Sequence, residues 1–372
     1  MWRRQKKYGK KSESINGGRM MGPIRFRNGM AIGEGSPCFI MLDAGVNHNN
    51  DVARAKELIQ SAKAGGADAI KFQTYSADEI STKSAPRYWD STLDTDGGGT
   101  QYDMFSKVDD LPKKAYFELK EYAREQKILF SSSPFGMESA RFLKKLDIDF
   151  FKIASAEITN HIMIEYIADC GKPIVLSTGA ASVGEVEKAV DLIQKKGNVR
   201  ISLQHCVLSY PCKDEDANLA KMVRLKKIFP DIPIGYSDHT YGGEISLAAV
   251  ALGARSIEKH YTIDNNLPDS PDHKFALTSA ELAGFVKSCR RVEKSLGAFR
   301  NAHYAAEEKA FQFARKSLVA IREIKKGQVI TDQAISCKRP GTGIYPEYRK
   351  VVVGRTAKRN IGSDELLSWD MF

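Results

Sequence analysis

Between Cys38 and Thr262 short apolar runs alternate with longer amphipathic segments, and each run ends in a polar residue of chemical use. Eight such runs follow in order, at residues 38–45, 69–75, 128–135, 150–157, 173–179, 201–207, 232–239 and 256–262. A strand covered on both faces shows little polar alternation. Eight of them, each followed by room for one helix, predict an α/β chain folded as a (β/α)8 TIM barrel. The C-terminal strand ends of such a barrel open on one shared mouth. Asp43, Lys71, Ser133, Lys152, Glu157, Ser177, His205, His239 and His260 stand at or near those ends, so the fold is expected to gather them.

The intervening segments read as helices. Asp51 is placed to cap a helix over residues 52–64, with Ala53, Ala55, Leu58, Ile59 and Ala62 on one face and Gly65-Gly66 as its stop. Residues 183–196 repeat the pattern through Val186, Ala189, Val190 and Ile193, and residues 247–252 form an apolar stretch ahead of Gly253. These stripes are core-facing surfaces rather than cofactor contacts. The longest irregular stretch, residues 76–111, contains Gly97-Gly98-Gly99. On the catalytic face of a barrel a segment of that length is expected to be a lid.

At 372 residues the chain exceeds one barrel of roughly 250 residues by enough for a second small domain. No run of eighteen apolar residues predicts a membrane span, and the N-terminal stretch lacks the apolar segment of a secretory signal. Residues 1–22 hold seven Lys or Arg against one acid, Glu13, out of a net charge of +10. With no interleaved aromatic platform and no recognised binding motif, this reads as a disordered, solvated tail rather than a nucleic-acid arm. The six cysteines show no CxxC or Cys/His metal spacing, and Cys38 and Cys206 fall within predicted strands. Reduced core thiols in a cytoplasmic protein follow, with neither membrane nor nucleic acid as a partner.

The candidate chemistry lies in two sets. His239 and His260 end the seventh and eighth runs, so neighbouring strands present two imidazoles to one mouth. Such a pair serves either as part of a metal site, with positions left for water and a substrate oxygen, or as satisfied structural histidines. Asp272, in the loop at residues 267–274, and Asp43 on the first strand favour the metal, since carboxylates there can orient bound water or take its proton. The second set is cationic and hydroxylic. Lys71 and Lys152 share the rim with Ser133, Ser155, Ser177 and Ser237, a composition suited to a phosphate cradle. Each serine alone reads as a cap or turn residue, but their joint placement on separate strand ends points to the cradle. A simple Lys152–Glu157 pair is disfavoured, because their odd separation sends them to opposite sides of an ideal strand.

Several motifs together carry a resemblance. They are Leu42-Asp43-Ala44-Gly45-Val46-Asn47-His48-Asn49, the stretch from Gly66 through Lys71 to Gln73, Phe151-Lys152-Ile153-Ala154-Ser155-Ala156-Glu157, Leu176-Ser177-Thr178-Gly179, Gly235-Tyr236-Ser237-Asp238-His239-Thr240 and Ile257-Glu258-Lys259-His260-Tyr261. In this order they resemble the sialic acid (N-acetylneuraminate) synthase family. Residues 317–372, with Ile324-Lys325-Lys326-Gly327 and Cys337-Lys338-Arg339-Pro340-Gly341, resemble that family's antifreeze-like (SAF) domain. The likeness spans residues 37–372. It divides the chain into a tail (1–22), a barrel (23–296), a linker (297–312) and a SAF domain (313–372).

The resemblance implies condensation of phosphoenolpyruvate with the open-chain aldehyde of an N-acyl hexosamine, giving a nine-carbon 2-keto acid and phosphate. It further implies that Lys71, Lys152, Ser133, Ser155, Ser177 and Ser237 hold phosphoenolpyruvate, and that His239 and His260 bind a divalent metal, usually manganese (Mn2+). By the same likeness Gln73, Glu157, Tyr210 and Asp272 contact the sugar or the reacting centre, with Glu157, Asp43 and Asp272 as the catalytic carboxylates. Arg339 would reach into the barrel of a second subunit in a domain-swapped homodimer. Three positions depart from the family pattern: Asp43 replaces a Glu, Leu208 an Asn, and Ser133 a Thr. They leave the reaction class in place and open the identity of the sugar, since legionaminic, pseudaminic and spore-coat polysaccharide synthases share much of the pattern. The competing readings are a sugar- or phosphate-binding protein without turnover, a nucleic-acid binder using the tail, and a condensing barrel acting on a sugar phosphate.

Overall fold

A computed structural model describes residues 22–94, 97–108, 111–268, 270–298 and 300–372. The expected disordered tail falls on residues 1–22, all but the last of which lie outside the described residues. Residues up to Leu296 belong to one compact unit and Gly297–Phe372 to a second.

The first unit is the predicted barrel. Its strands are β1 Phe39–Gly45, β2 Ala69–Thr74, β3 Leu129–Pro134, β4 Phe150–Ile153, β5 Ile174–Ser177, β6 Ile201–Cys206, β7 Ile234–Asp238 and β8 Ser256–Thr262. Neighbours in sequence pair in parallel, and β8 closes the cylinder by pairing with both β7 and β1. The helices are α1 Val52–Ala64, α2 Lys113–Glu125, α3 Met137–Leu146, α4 His161–Asp169, α5 Val183–Lys195, α6 Leu219–Ile228, α7 Glu244–Ala251 and α8 Ser279–Leu296. Asp51 caps α1 through Ala53 N at 2.7 Å, and Ser182 with Glu185 forms a capping box on α5. Ala55, Leu58, Ile59 and Ala62 face the core as expected, whereas Ala53, in the first turn, is exposed.

Alternation along the strands separates two layers. Ile40, Leu42, Ile70, Phe72, Phe130, Ile174, Leu203 and Ile257 join the helices in the outer core. Phe39, Met41, Ala69, Leu129, Phe150 and Val175 meet inside the barrel at its N-terminal end. There a hairpin of Ile24–Arg25 and Ala31–Ile32 adds Ile24, Phe26 and Ile32, with Phe26 stacked 5.0 Å from Phe39 and 5.3 Å from Phe150. Burying each such side chain contributes about 1.5–3 kcal/mol. The N-terminal end is therefore an apolar plug, and the polar residues of the interior are left to the opposite end.

The segment between β2 and α2 is more ordered than its composition suggests. It contains the helices Ala77–Ile80 and Gln101–Val108 and a 3-10 turn at Ser91–Leu93. Arg87 ties it together, donating to Asp94 at 2.6 Å, to the Gly98 carbonyl at 2.9 Å and to the Thr100 carbonyl at 3.2 Å. Met104 and Val108 pack with Val46 and Tyr75 in a small apolar cluster at the barrel's C-terminal end.

In the second unit β9 Ser317–Ala320 pairs antiparallel with β10 Ile335–Lys338. Leu318, Ile324, Ile330, Ile344, Ile361 and Leu367 form its own core.

Candidate active site

Parallel register explains why residues far apart in sequence meet at the mouth. Asp43 on β1 stands level with Lys71 on β2 and with His260 on β8, and Gln73 stands level with Ser133 on β3. The pairing of β1 with β2 slips between Asp43 and Gly45, a bulge at the strand end. Gly45 has φ +50°, and a Cβ there would lie 3.2 Å from Gln73 Nε2 and 3.5 Å from Asp43 Oδ1. Glycine at this position meets both the left-handed backbone and the crowding around the carboxylate.

A cavity of about 200 Å³ occupies the mouth. Its floor is charged and almost dry. Lys71 Nζ lies 2.7 Å from Asp43 Oδ2 and 3.5 Å from Glu258 Oε1, and Lys152 Nζ lies 3.3 Å from Glu258 Oε2. Glu258 thus bridges the two lysines. Lys152 also donates to Ser177 Oγ at 2.6 Å. Burial pushes the Lys152 ammonium below its ordinary value, opposed by the Glu258 carboxylate. Ser133, Ser155, Ser177 and Ser237 line the same cavity. The Ser133 hydroxyl is buried and has no hydrogen-bond partner among the described residues, and Ser155 Oγ accepts from Gly179 N at 2.9 Å.

Beside this floor stand the imidazoles, with ring centres 5.3 Å apart. His239 Nδ1 donates to the Val207 carbonyl at 2.8 Å, which leaves Nε2 as the nitrogen that could meet a metal. His260 Nδ1 lies 3.2 Å from Asp272 Oδ2, and its Nε2 lies 3.8 Å from Asp43 Oδ2. Burial raises the Asp272 carboxyl, but the neighbouring imidazoles outweigh it and hold the group below its usual value. The Tyr210 ring packs on His239 at 4.2 Å, and burial raises its phenol well above the ordinary value. The cavity accordingly touches His260 and Tyr210 but not His239.

Two imidazoles with carboxylates beside them suit a divalent ion such as Mn2+, and the orientation of His239 through a backbone carbonyl is how metal-bound histidines are commonly held. Among the described residues, no three His, Cys, Asp or Glu side chains form a cluster able to hold an ion alone. The set fits an ion only if water or substrate completes its coordination.

The upper wall comes from the segment between β2 and α2. Ile80, Tyr88, Trp89, Leu93, Met104 and Phe105 face the cavity, and Trp89 Nε1 donates to Asp94 at 2.9 Å. The cavity therefore has a cationic floor and an apolar roof. Glu157 lies between them, on a 3-10 turn at Ser155–Glu157 beyond the end of β4, and accepts from Asn160 at 2.8 Å. Burial raises its carboxyl above the ordinary value.

Of the residues singled out in the sequence, Asp43, Lys71, Gln73, Ser133, Lys152, Ser155, Glu157, Ser177, Tyr210, Ser237, His260 and Asp272 line this cavity. His205 does not join them. Gln204 and Cys206 take the inward positions of β6, so the pleat sends His205 outward, where Nε2 contacts the Ala217 carbonyl at 2.8 Å and the ring packs on Tyr236. Lys152 does pair with a glutamate, but with Glu258. Because β4 ends at Ile153, alternation along a strand does not govern where Glu157 points. Arg339 belongs to the second unit, where it is exposed just after β10. Leu208 borders the floor, its amide 3.2 Å from where a Cβ of Gly179 would stand. Two inward groups had been overlooked, Glu258 and Cys206. Glu258 precedes His260 by two positions and so shares its face, while Cys206 Sγ lies 3.9 Å from His239 Nδ1.

A closed parallel barrel with two buried lysines, several serine hydroxyls and two imidazoles at its C-terminal mouth is the arrangement of a barrel enzyme. Its sequence matches the NeuB family over residues 58–301 and the SAF domain over residues 315–372. The chain belongs to the NeuB family, whose synthases are phosphoenolpyruvate-dependent transferases. It is 41% identical over 333 residues to the N,N'-diacetyllegionaminic acid synthase of Campylobacter jejuni, a match covering 88% of this chain and 98% of that protein. It is 35% identical over 319 residues to the mouse N-acetylneuraminate-9-phosphate synthase, covering 86% and 88% of the two chains. The crystal structure of a sialic acid synthetase from Leptospira borgpetersenii, in complex with citrate, superposes with a TM-score of 0.68 at 36% identity, covering 78% of this chain and 95% of that one. Among the described residues no helix is long and apolar enough to cross a membrane.

Proposed function

We propose that the protein condenses phosphoenolpyruvate with an N-acyl hexosamine, N-acetylmannosamine or a modified relative, to give a nine-carbon 2-keto acid and phosphate. The observation that carries this reading is the cavity floor, where Lys71, Lys152 and the unpartnered Ser133 hydroxyl surround a space large enough for a small anion. In the free protein Asp43 and Glu258 neutralise the two lysines. An entering phosphate and carboxylate would share these cations, with Ser133, Ser155, Ser177 and Ser237 as hydroxyl donors.

The acceptor sugar lies above, between the floor and the roof of Trp89, Met104 and Phe105, so that its aldehyde carbon faces carbon 3 of the enol. Holding both reactants in one pocket supplies much of the rate. His239 and His260 would hold a divalent ion, Mn2+ in this reading, which would supply Lewis acidity toward the aldehyde oxygen. Carbon 3 attacks the aldehyde carbon, a C–C bond forms, and carbon 2 becomes electron-poor. Water adds there, its first proton passing by way of Glu157 or Asp43 to the alkoxide left on the former aldehyde oxygen. The new hydroxyl on carbon 2 then gives its proton to the departing phosphate as the C–O bond breaks, leaving the 2-keto acid. Burial, by raising the Glu157 carboxyl above its ordinary value, favours its acting as a proton acceptor. Asp272, beside His260, orients that ring.

The enzyme works in this reading as a domain-swapped homodimer, with Arg339 of one chain serving the barrel of the other and gripping the N-acyl group. The test is incubation with phosphoenolpyruvate, manganese and a panel of hexosamines, reading released phosphate and product mass. Chelator should abolish release, manganese should restore it, and His260→Ala should resist rescue. Tight binding of phosphoenolpyruvate without turnover of any hexosamine would make the protein a binding homologue. Full activity after exhaustive metal removal would sink the metal assignment.

A further inference from the structure

The helix Ala77–Ile80 begins the segment that roofs the cavity, yet none of its side chains is buried. Its apolar contact is slight, with only Ile80 packing partly buried on the cluster of Val46, Tyr75, Met104 and Val108, so a polar interaction must help to seat it. Glu79 reaches across to α3. Its Oε1 accepts from Glu138 N at 2.7 Å and Ser139 N at 3.2 Å, while its Oε2 accepts from the Ser139 hydroxyl. Those two amides belong to the first turn of α3, where amides have no partner within the helix. The residue at the N-cap itself, Gly136, has no side chain to offer them.

Gly136 is an independent observation. Its φ is −176°, extended backbone that any residue adopts, so conformational freedom does not account for glycine here. A Cβ at this position would stand 2.5 Å from Glu79 Oε1 and 2.9 Å from Glu79 Cβ, closer than nonbonded atoms approach. What requires glycine is the glutamate from the roof. The two ends of the contact also flank the pocket, since Ile80, next to Glu79, and Phe135, next to Gly136, both line it.

We propose that Glu79 is a latch, a positioning residue that seats the roof over the acceptor end of the cavity by capping α3, with Gly136 keeping its seat clear. This deepens the proposed function and rests on it for the identity of the acceptor. While the latch is engaged, Tyr88, Trp89 and Phe105 close the wall against the sugar and keep bulk water from the reacting carbon. Hydrogen bonds from backbone amides to one carboxylate are strong because the acceptor is charged, and they can still be broken to release a product. A plain helix cap would make the same bonds with a different consequence, lowering stability while leaving the pocket's affinity alone.

The test uses Glu79→Ala, Gly136→Ala and the double variant Glu79→Gly with Gly136→Ala in the full-length protein, with Glu79→Gly as its single-variant reference. Each single change should raise KM for the acceptor by about tenfold, the scale of losing a cap, while the affinity for phosphoenolpyruvate stays unchanged. Each should also speed amide hydrogen exchange across residues 77–94 and 97–108. In the double variant, where glycine at position 79 removes the Cβ that alanine would keep, the second substitution should add nothing, because the three atoms nearest an alanine methyl at position 136 all belong to the Glu79 side chain. Glu79→Gln, which keeps an acceptor oxygen, should recover part of the loss. Unchanged exchange in the roof overturns the latch, as does a Gly136→Ala effect that persists without Glu79. If no hexosamine is turned over, the proposed function has failed, and the exchange measurement with phosphoenolpyruvate alone still judges the latch.

Discussion

Lys152 is 2% exposed and shares Glu258 with Lys71. In the proposed function this floor receives an anion, and the number of donors facing that anion sets how tightly it is held. Leu208 matters for this reason. It lines the cavity beside Gly179, whose amide bonds Ser155, so in the proposed function it borders the phosphoenolpyruvate end. An apolar side chain there cannot donate to a phosphate or carboxylate oxygen. A hydrogen bond to a charged group is worth about 1.5–3 kcal/mol, roughly ten- to a hundredfold in affinity. Leu208→Asn should therefore lower KM for phosphoenolpyruvate by roughly tenfold or more while barely moving that for the sugar. Steady-state kinetics with each substrate varied in turn would decide it, and a change confined to sugar selectivity would place Leu208 on the acceptor side instead.

The elements that carry the imidazoles are held from behind. Asp238 on β7 and Lys259 on β8 are register partners on the outer face of the barrel, paired at 3.1 Å with side chains 0% and 2% exposed. Lys259 also donates to the Thr240 carbonyl at 2.6 Å, and Asp238 accepts from Thr240 and Ser246. Ser237, His239, Glu258 and His260 flank this pair in sequence, so it sets the height at which their side chains enter the mouth. Lys259→Met leaves Asp238 as an unpaired buried charge and should destabilise the protein by about 3–5 kcal/mol, read by urea unfolding. A loss below about 1 kcal/mol, the range of an exposed pair, would show that water reaches the carboxylate.

The eight strands were legible in the sequence because burial on both faces leaves an unbroken apolar run, and each observed strand lies inside the run that marks it. The lid expected of residues 76–111 does line the cavity, but its helices were not legible. In Gln101–Val108 only Met104 and Val108 are buried, one apolar contact per turn, and the glycines at 97–99 mask the helix that follows. The hairpin of Ile24–Arg25 and Ala31–Ile32 is too short to show any period. His205 illustrates a different limit. A residue near a strand end enters the mouth only if its parity is right, and the inward-facing Gln204 and Cys206 settle that parity. The same rule applied to His260 would have revealed Glu258.

At the scale of the whole molecule the open matter is how the second unit serves the first. Arg339 lies just after β10, at the end of the antiparallel pair formed with β9, and its side chain is exposed with no ion pair among the described residues. A planar guanidinium in that position is free to grip a carbonyl or carboxylate elsewhere, with bidentate geometry that a lysine does not reproduce. In the proposed dimer it serves the partner's cavity. Each active site then draws its lysine floor from one chain and its arginine from the other. Two inactive variants, Arg339→Ala and Lys152→Ala, should consequently complement each other. After random subunit exchange half of the dimers are mixed, and each mixed dimer holds one site with both residues intact. Recovery should reach about one quarter of wild-type turnover per chain, since random pairing leaves roughly one site in four complete. Phosphate release before and after exchange, with exchange followed by mass spectrometry of tagged chains, makes the comparison. Demonstrated exchange without recovered activity would mean that Arg339 acts within its own chain or not at all.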